Sequence, residues 1–156
     1  MKKLLFIYFG LLFSLISCTP YGPSGFAGGY TDHVLGSGYY SVNFAGNGYT
    51  SPERVGDMAL LRACELARND GYAKFIILGG RGNTTVDHAY TPGVATTTGN
   101  FSQGVYSSTT LYTPPMDIPI SKPDANISIQ GLTIASKVGD NLELTIQRMK
   151  QKYRIQ

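Results

Sequence analysis

The sequence predicts an α+β fold in which two helices cover one face of a single β-sheet. Apolar residues alternate with polar ones over residues 39–45, and an apolar stripe at helical spacing runs through residues 51–69. Shorter stretches rich in apolar or β-branched residues follow, and a second helical pattern closes the chain. The expected element order is β-α-β-β-β-α, arranged as a two-layer sandwich with one mixed or antiparallel sheet.

The first 18 residues, MKKLLFIYFGLLFSLISC, have the features of an export signal. Two lysines form a positive start, and the apolar run after them is too short to span a bilayer as a stable helix. The Leu-Ile-Ser-Cys ending resembles the bacterial lipobox. This resemblance implies that residues 1–17 are removed and that Cys18 receives a diacylglycerol and an acylated amine. Thr19, a residue other than Asp after the cysteine, implies sorting to the outer membrane, with the protein on the periplasmic side.

The remainder of the chain divides into a linker and one folded part. Residues 18–38 are expected to be the lipidated cysteine and a flexible tether, because this Gly- and Pro-rich stretch loses too much backbone entropy to fold alone. The distal part of the tether, Gly29–His33, is able to dock on the folded part. Residues 39–156 are expected to form a single α+β domain.

The first element of this domain is a half-buried strand over residues 39–45. Its apolar face consists of Tyr40, Val42 and Phe44. Residues 46–48, Gly-Asn-Gly, end the strand because Gly and Asn tolerate the positive φ of a sharp turn.

The strongest helical pattern follows at residues 51–69. Ser51 suits the N-cap, Pro52 the first helical position and Gly71 the left-handed position after the helix. The apolar stripe comprises Val55, Met58, Ala59, Leu60, Ala63, Cys64, Leu66 and Ala67. Because Cys64 belongs to this stripe, we expect a buried structural thiol and not a nucleophile.

Three more segments are expected in or between strands. Residues 72–78 are apolar on both faces, which predicts a central strand covered on two sides and a compact β-α-β unit. Residues 82–104 are polar and nearly uncharged, which predicts a long loop. Strands are expected at residues 105–112 and 127–135, and a bulge at Gly131 would direct the apolar pairs on both of its sides to the core.

The last element is a helix over residues 140–153. Its inward positions are Leu142, Ile146 and Met149. Together with the first helix, it is expected to cover one face of the sheet.

The charge balance restricts the class of partner. The chain has 13 Lys and Arg and 10 Asp and Glu residues, and Lys2 and Lys3 belong to the signal. The mature protein is therefore nearly neutral, so it lacks the basic field that nucleic-acid binding requires.

Few side chains suggest chemistry, and no catalytic, cofactor or metal-binding residue is predicted. The dipeptides Asp32-His33 and Asp87-His88 are better explained as solvated turn residues than as parts of a metal site or catalytic dyad, because metal sites need three or four convergent ligands. Asn47, Arg62 and Glu65 are candidates for a polar site, or Arg62 and Glu65 for a structural pair at helical spacing.

The segment YSVNFAGNGYTSPERV, followed by ALLRACELA and Gly71-Tyr72, resembles a family of small bacterial envelope lipoproteins of unknown function. Such proteins combine a lipobox and a glycine-rich tether with a Tyr-x-Val-x-Phe-x-Gly-Asn strand and a Leu-Leu-Arg-Ala-Ala-Glu-Leu-Ala helix. Cys64 stands where that pattern usually has Ala, which supports a packing role. The resemblance spans residues 28–78 and implies an envelope location and a fold, but no activity.

Two classes of function are consistent with these features. The first is a non-enzymatic lipoprotein, an accessory or structural subunit that binds an envelope protein complex such as a secretion-system outer-membrane core. The low charge, the 11 tyrosines and the uncharged segment 82–104 favour this class. The alternative is a periplasmic enzyme or carrier acting on envelope glycan or lipid, and it requires Asp32, His33, Glu65, Asp87 and His88 to converge.

Overall fold

A computed structural model of the chain describes residues 19–102 and 105–156. The predicted signal and the predicted lipidation site, Cys18, lie outside these residues. The α+β class is confirmed: the described residues form two helices, a five-stranded sheet and a separate two-stranded sheet. The described strand registers are all antiparallel.

The chain contains more strands than the sequence predicts. The elements are β1 (Gly29–Gly36), β2 (Tyr39–Ala45), α1 (Pro52–Asn69), β3 (Lys74–Thr91), β4 (Val94–Ser102), β5 (Val105–Thr113), β6 (Met116–Leu132), β7 (Asp140–Asn141) and α2 (Leu142–Tyr153). The five-stranded sheet has the order β1-β2-β6-β3-β7, and β4 pairs with β5. The expected order β-α-β-β-β-α with one sheet is therefore wrong in detail, because β1, β4 and β7 were missed.

The single domain over residues 39–156 stays a prediction, and the contacts within its described part are unevenly distributed. The described residues belong to two compact units, and the second is Val86–Ile120. We call it the hairpin unit, and we call the residues on either side of it, which extend to Thr85 and from Ser121 to Gln156, the core unit. The division falls within the long strands β3 and β6, where the sequence has no linker composition.

The core unit is organised around the inward face of β2. Tyr40, Val42 and Phe44 are fully buried, as the alternating pattern predicts. They share one hydrophobic cluster with residues of both helices and of β3 and β6. The buried apolar residues of the helices are Val55, Met58, Ala59, Leu61, Ala63, Cys64 and Ala67 in α1, and Leu142 and Ile146 in α2.

Both helices begin at side-chain caps. Ser51 Oγ accepts a hydrogen bond from the Arg54 backbone N–H at 3.2 Å, and Asn141 Oδ1 accepts one from the Leu144 N–H at 2.8 Å. The glycine after α1, Gly71, has a φ of 87°, which is the left-handed conformation expected there. The boundaries of α1 are thus encoded locally, in residues that the sequence pattern identifies.

The predicted flexible tether over residues 18–38 is wrong for β1. Residues Gly29–Gly36 pair with β2 along the whole strand, from Gly29 opposite Ala45 to Gly36 opposite Tyr39. A Cβ on Gly29 would lie 2.6 Å from the carbonyl oxygens of Gly22 and Pro23, and its φ is 127°. Glycine at this position therefore permits close backbone packing, and glycine content alone does not indicate flexibility.

The predicted loop over residues 82–104 is likewise wrong. β3 continues to Thr91, and β4 covers Val94–Ser102. The strand expected at residues 105–112 is confirmed as β5, and its register places Val94 opposite Thr113 and Ser102 opposite Val105. Threonine supplies the β propensity here, because a branched Cβ favours extended backbone without making the segment apolar.

Two expectations about burial fail in β3 and after the end of β6. Ile77 and Leu78 of β3 are 53% and 51% exposed, so this strand is not covered on both sides. Ile134 is 80% exposed, so the predicted bulge at Gly131 does not return it to the core. Gly131 instead lies against Tyr72, where a Cβ would approach the ring to 2.7 Å. Among the described residues, we find no helix with the length and apolarity needed to cross a bilayer.

The buried hydroxyl of Tyr40 generates a prediction about stability. It donates a hydrogen bond of 2.6 Å to Asp70 Oδ2 at the end of α1, and burial followed by this bond raises its pKa. We expect Tyr40→Phe to lower the free energy of unfolding by about 1 kcal/mol, because Asp70 is exposed and water replaces part of the lost bond. The measurement is urea denaturation followed by circular dichroism.

Tyr39→Phe, at a neighbouring position that is 41% exposed, serves as the control and should change stability by less than about 0.5 kcal/mol. Equal effects of both substitutions would contradict this role for Tyr40.

Candidate functional site

A cluster of charged and aromatic side chains joins four segments of the core unit. We call it the Glu65 cluster, and it consists of Tyr21, Tyr30, Asp32, Arg62, Glu65 and Lys150. It links the segment before β1, β1 itself and both helices. Of the sequence-predicted candidates, Arg62 and Glu65 belong to it, and Asn47 does not.

Arg62 is held from three sides. Its Nε and Nη2 atoms donate to Asp32 Oδ2 at 3.1 and 2.7 Å, and its guanidinium carbon lies 4.4 Å from the centre of the Tyr30 ring. Its Nη1 lies 3.8 Å from Glu65 Oε2. Desolvation, the largest single effect, lowers the pKa of Arg62. The hydrogen bond to Asp32 and the electrostatic effects of Tyr30, Asp32 and Tyr21 together outweigh it, so the net shift of the pKa is upward. The arginine is therefore a fixed cation that orders β1 against α1.

Glu65 is the buried acidic group of the cluster, with a side chain only 11% exposed. Its Oε2 accepts a hydrogen bond of 2.5 Å from the Tyr21 hydroxyl, and its Oε1 lies 3.1 Å from Lys150 Nζ. Burial and then the Glu65 bond raise the pKa of Tyr21 far above its ordinary value. A carboxylate with two cations and a hydroxyl around it is compensated, so both of its oxygens are occupied by contacts that hold the fold together.

Asn47 occupies a second polar cluster at the turn between β2 and α1. Its Oδ1 accepts hydrogen bonds from the Tyr49 backbone N–H at 3.0 Å and from Thr50 Oγ1 at 2.9 Å. Thr19, which is fully buried, also bonds to this turn: its Oγ1 lies 2.8 Å from Thr50 Oγ1 and accepts from the Asn47 backbone N–H at 2.8 Å. Its backbone N–H donates to Thr50 Oγ1 at 3.1 Å. We call Thr19, Asn47 and Thr50 the Thr19 clamp.

Of the acid and base candidates, Asp32 belongs to the Glu65 cluster and His33 does not. Asp32 and His33 are consecutive in β1, so their side chains point to opposite faces of the sheet. Asp87 and His88 belong to the hairpin unit, where His88 Nδ1 lies 2.9 Å from Asp117 Oδ1. Within residues 19–102 and 105–156, no three His, Cys, Asp or Glu side chains are arranged to hold a metal ion.

The hairpin unit has a feature that sequence reasoning missed. None of its described side chains is buried, and the most exposed large ones include Tyr90 at 76%, Leu111 at 70% and Tyr112 at 64%. The sequence from Val86 to Ile120 contains no Lys or Arg, and its acidic residues are Asp87 and Asp117. The absence of Lys and Arg is evident from the sequence, but it is compatible with both an exposed β-hairpin and a polar loop.

Comparison with known proteins does not assign the chain to a family: no family model matches it, and no curated protein or solved structure is significantly similar.

The Asp32–Arg62 contact generates a second prediction. We expect a double-mutant cycle with Asp32→Asn and Arg62→Gln to give a coupling energy of roughly 1 kcal/mol, because both side chains are partly shielded and the arginine is also held by Tyr30. The measurement is urea unfolding of the four proteins. Arg68 and Glu143, 3.4 Å apart and 42% and 55% exposed, are the control pair and should couple by less than about 0.5 kcal/mol. A coupling energy no larger than that of the control would contradict an ordering role for Arg62.

Cys64 is fully buried, and burial raises the pKa of its thiol to about 12. A thiol whose pKa is higher in the folded than in the unfolded protein stabilises the fold at low pH. This stabilisation is complete below the unfolded pKa of about 8.5 and is lost as the pH rises toward the folded value.

Cys64 should therefore be unreactive until the protein unfolds. In a Cys18→Ser protein, where Cys64 is the remaining thiol, we expect reaction with a chromogenic disulfide at pH 8 to follow the urea unfolding curve, because only the unfolded thiol is accessible and forms a thiolate. The measurement is absorbance of the released thiolate across the urea series. Complete reaction within minutes in the absence of urea would contradict the buried position.

Proposed function

We propose that this protein is a non-enzymatic bacterial lipoprotein that is anchored by Cys18 to the outer membrane on the periplasmic side and binds an envelope protein through its hairpin unit. The partner is a subunit of an envelope complex, such as a secretion-system outer-membrane core. The observation that carries the proposal is the exposure of large side chains among the described residues of the hairpin unit, Tyr90, Leu111 and Tyr112, in a sequence without Lys or Arg.

The strands of the hairpin unit have the properties of a pairing surface. β4 and β5 form a separate two-stranded sheet, so each has an outer edge with backbone groups available to a further strand. Monomeric proteins commonly protect such edges with Lys or other charges, and this unit has no Lys or Arg. Addition of a partner strand is therefore not opposed by charge.

The exposed side chains supply the apolar area that binding requires. Two-stranded sheets with nothing packed on them are only marginally stable in water. Tyr112 lies opposite Ala95 and Leu111 opposite Thr96, so large side chains project from both faces of the hairpin. Burying one such side chain contributes about 1.5–3 kcal/mol, so a partner that covers Tyr90, Leu111 and Tyr112 would stabilise the unit as well as bind it.

The contacts of the acidic and basic candidates support a binding role over catalysis. Asp32 and Glu65 are held in ion pairs with Arg62 and Lys150. Catalysis by these carboxylates would require breaking the contacts that connect β1 to the helices. A structural role requires only that these contacts remain intact.

The lipid anchor places the protein where such a partner is found. The export signal, the lipobox ending at Cys18 and Thr19 after the cysteine support it. A residue that carries several acyl chains binds a membrane stably, because each buried methylene contributes about 0.8 kcal/mol.

The proposal is tested by crosslinking in living bacteria. A photoreactive amino acid replaces Tyr112 in the hairpin unit or, as the matched control, Ile134, which is 80% exposed in the core unit. We expect one discrete crosslinked envelope protein from position 112 and none from position 134. Leu111→Lys should reduce the yield at position 112 roughly tenfold, because a loss of about 1.4 kcal/mol changes binding by that factor. Ile134→Lys should leave it unchanged.

Two results would contradict the proposal. One is the absence of a discrete product at position 112 while the protein is present at its normal level in the envelope. The other is the same product at positions 112 and 134, since binding would then not depend on the hairpin unit.

A further inference from the structure

The Thr19 clamp fixes the point at which the chain enters the core unit. Thr19 is fully buried and takes part in three hydrogen bonds, to Asn47 and Thr50. Cys18 is bonded directly to Thr19, and consecutive Cα atoms lie about 3.8 Å apart. A lipid on Cys18 therefore has no free residue between it and the folded core unit, in contrast to the tether expected from the sequence.

Two exposed aromatic side chains flank this entry point. Gly25 and Gly28 exchange backbone hydrogen bonds of 2.9 and 3.1 Å, so Phe26 lies at the tip of a tight turn and is fully exposed. The turn is next to the clamp, because a Cβ on Gly28 would lie 2.8 Å from Thr19 Cγ2. Tyr49, which is 77% exposed, lies between the two clamp residues Asn47 and Thr50.

The segments that form this surface contain no charged residue, and the charged residues Lys122 and Asp124 of β6 border it, since Asp124 lies opposite Ala45 and the Pro123 carbonyl accepts from the Gly46 N–H. Residues 19–31 and 43–52, which provide the clamp and both aromatic side chains, contain no Asp, Glu, Lys or Arg. Aromatic residues are favoured at the level of lipid headgroups, where part of the ring is apolar and water is nearby. An uncharged segment enters this region without the cost of removing ions from water.

We propose that the surface around Thr19, with Phe26 and Tyr49, is a membrane-contact surface, and that the core unit lies directly on the phospholipid bilayer. This proposal rests on the proposed lipidation of Cys18. The lipid supplies the attachment, and the clamp determines the orientation by holding the two aromatic residues at the level of the headgroups. Because the segments that carry Phe26 and Tyr49 are uncharged, the contact of these two side chains with the bilayer should be insensitive to salt.

The chain contains no tryptophan, so one introduced tryptophan reports on one position. The full-length protein with Phe26→Trp, purified from the bacterial membrane in detergent, is reconstituted into phosphatidylcholine vesicles, with Ile134→Trp as the matched control. We expect bromine atoms placed near the headgroup end of the acyl chains to quench the tryptophan at position 26 several-fold more strongly than the one at position 134. Adding about 0.5 M salt, which shortens the screening length well below its physiological value, should not change the difference.

A third protein separates the clamp from the anchor. It carries Phe26→Trp and a Gly-Ser spacer of about 12 residues between Cys18 and Thr19, with a root-mean-square span of about 20 Å. We expect it to float with the vesicles and to show at least twofold weaker quenching of its tryptophan than the protein without the spacer. Circular dichroism establishes that both proteins are folded.

The outcomes distinguish the two proposals. Failure of the Phe26→Trp protein to float with vesicles would contradict the lipid anchor and, with it, this surface. Flotation with equal quenching at positions 26 and 134, or with equal quenching with and without the spacer, would overturn the membrane-contact surface and leave the anchor intact. Protection of the tryptophan at position 26 in native envelopes but not in vesicles would assign the surface to a protein partner and would also overturn the proposal.

Discussion

The packing of β2 against α1 is the contact on which the rest of the core unit depends. Tyr40, Val42 and Phe44 are fully buried under the helices, and each contributes about 1.5–3 kcal/mol from the removal of apolar surface from water. Because the side-chain period of a strand is two, this burial also fixes the opposite face. Ser41 and Asn43 point away from the helices and lie opposite Ser128 and Asn126 of β6. One strand thereby determines both the core and the polar outer surface.

The Gly-rich N-terminal segment packs against the core unit, although its composition is typical of a flexible tether. Its glycines have positive φ values at Gly28 and Gly29 and leave space for backbone carbonyls that a side chain would displace. The polar residues of this segment then attach it at two places, through Thr19 at the β2–α1 turn and through Tyr21 at Glu65. Residues with the composition of a linker thus form part of the fold. If Cys18 is lipidated as proposed, these residues hold the lipid close to the core unit.

The sequence predicts the elements whose formation is encoded by neighbouring residues, and it fails for elements that depend on contacts with distant parts of the chain. The helix α1 was predicted with its correct end because Ser51, Pro52 and Gly71 are capping signals, and β2 because its apolar residues alternate. Strand β4 was missed because its threonines have β propensity without apolar alternation. Strand β1 was missed because its pairing depends on contacts with β2 that no local pattern reveals.

The candidate site was predicted only as far as helical spacing allows. Arg62 and Glu65 are three residues apart in α1, which places their side chains next to each other on the helix. In the structure, Arg62 Nη1 lies 3.8 Å from Glu65 Oε2. The Glu65 cluster also contains Asp32, Tyr21 and Lys150. These residues are far from α1 in the sequence, so residue spacing cannot predict their contacts with it. Asn47 is grouped with the helix residues as a polar member of the same sequence block, but its hydrogen-bond partners include Thr19 and Thr50.

The proposed function depends on the modification of Cys18. The intact mass of the protein purified from bacterial membranes tests it most directly. The account predicts a chain that begins at Cys18, without residues 1–17, and carries the added mass of a diacylglycerol and an acyl group. A chain that retains Met1, or that begins near Cys18 with an unmodified thiol, would contradict it.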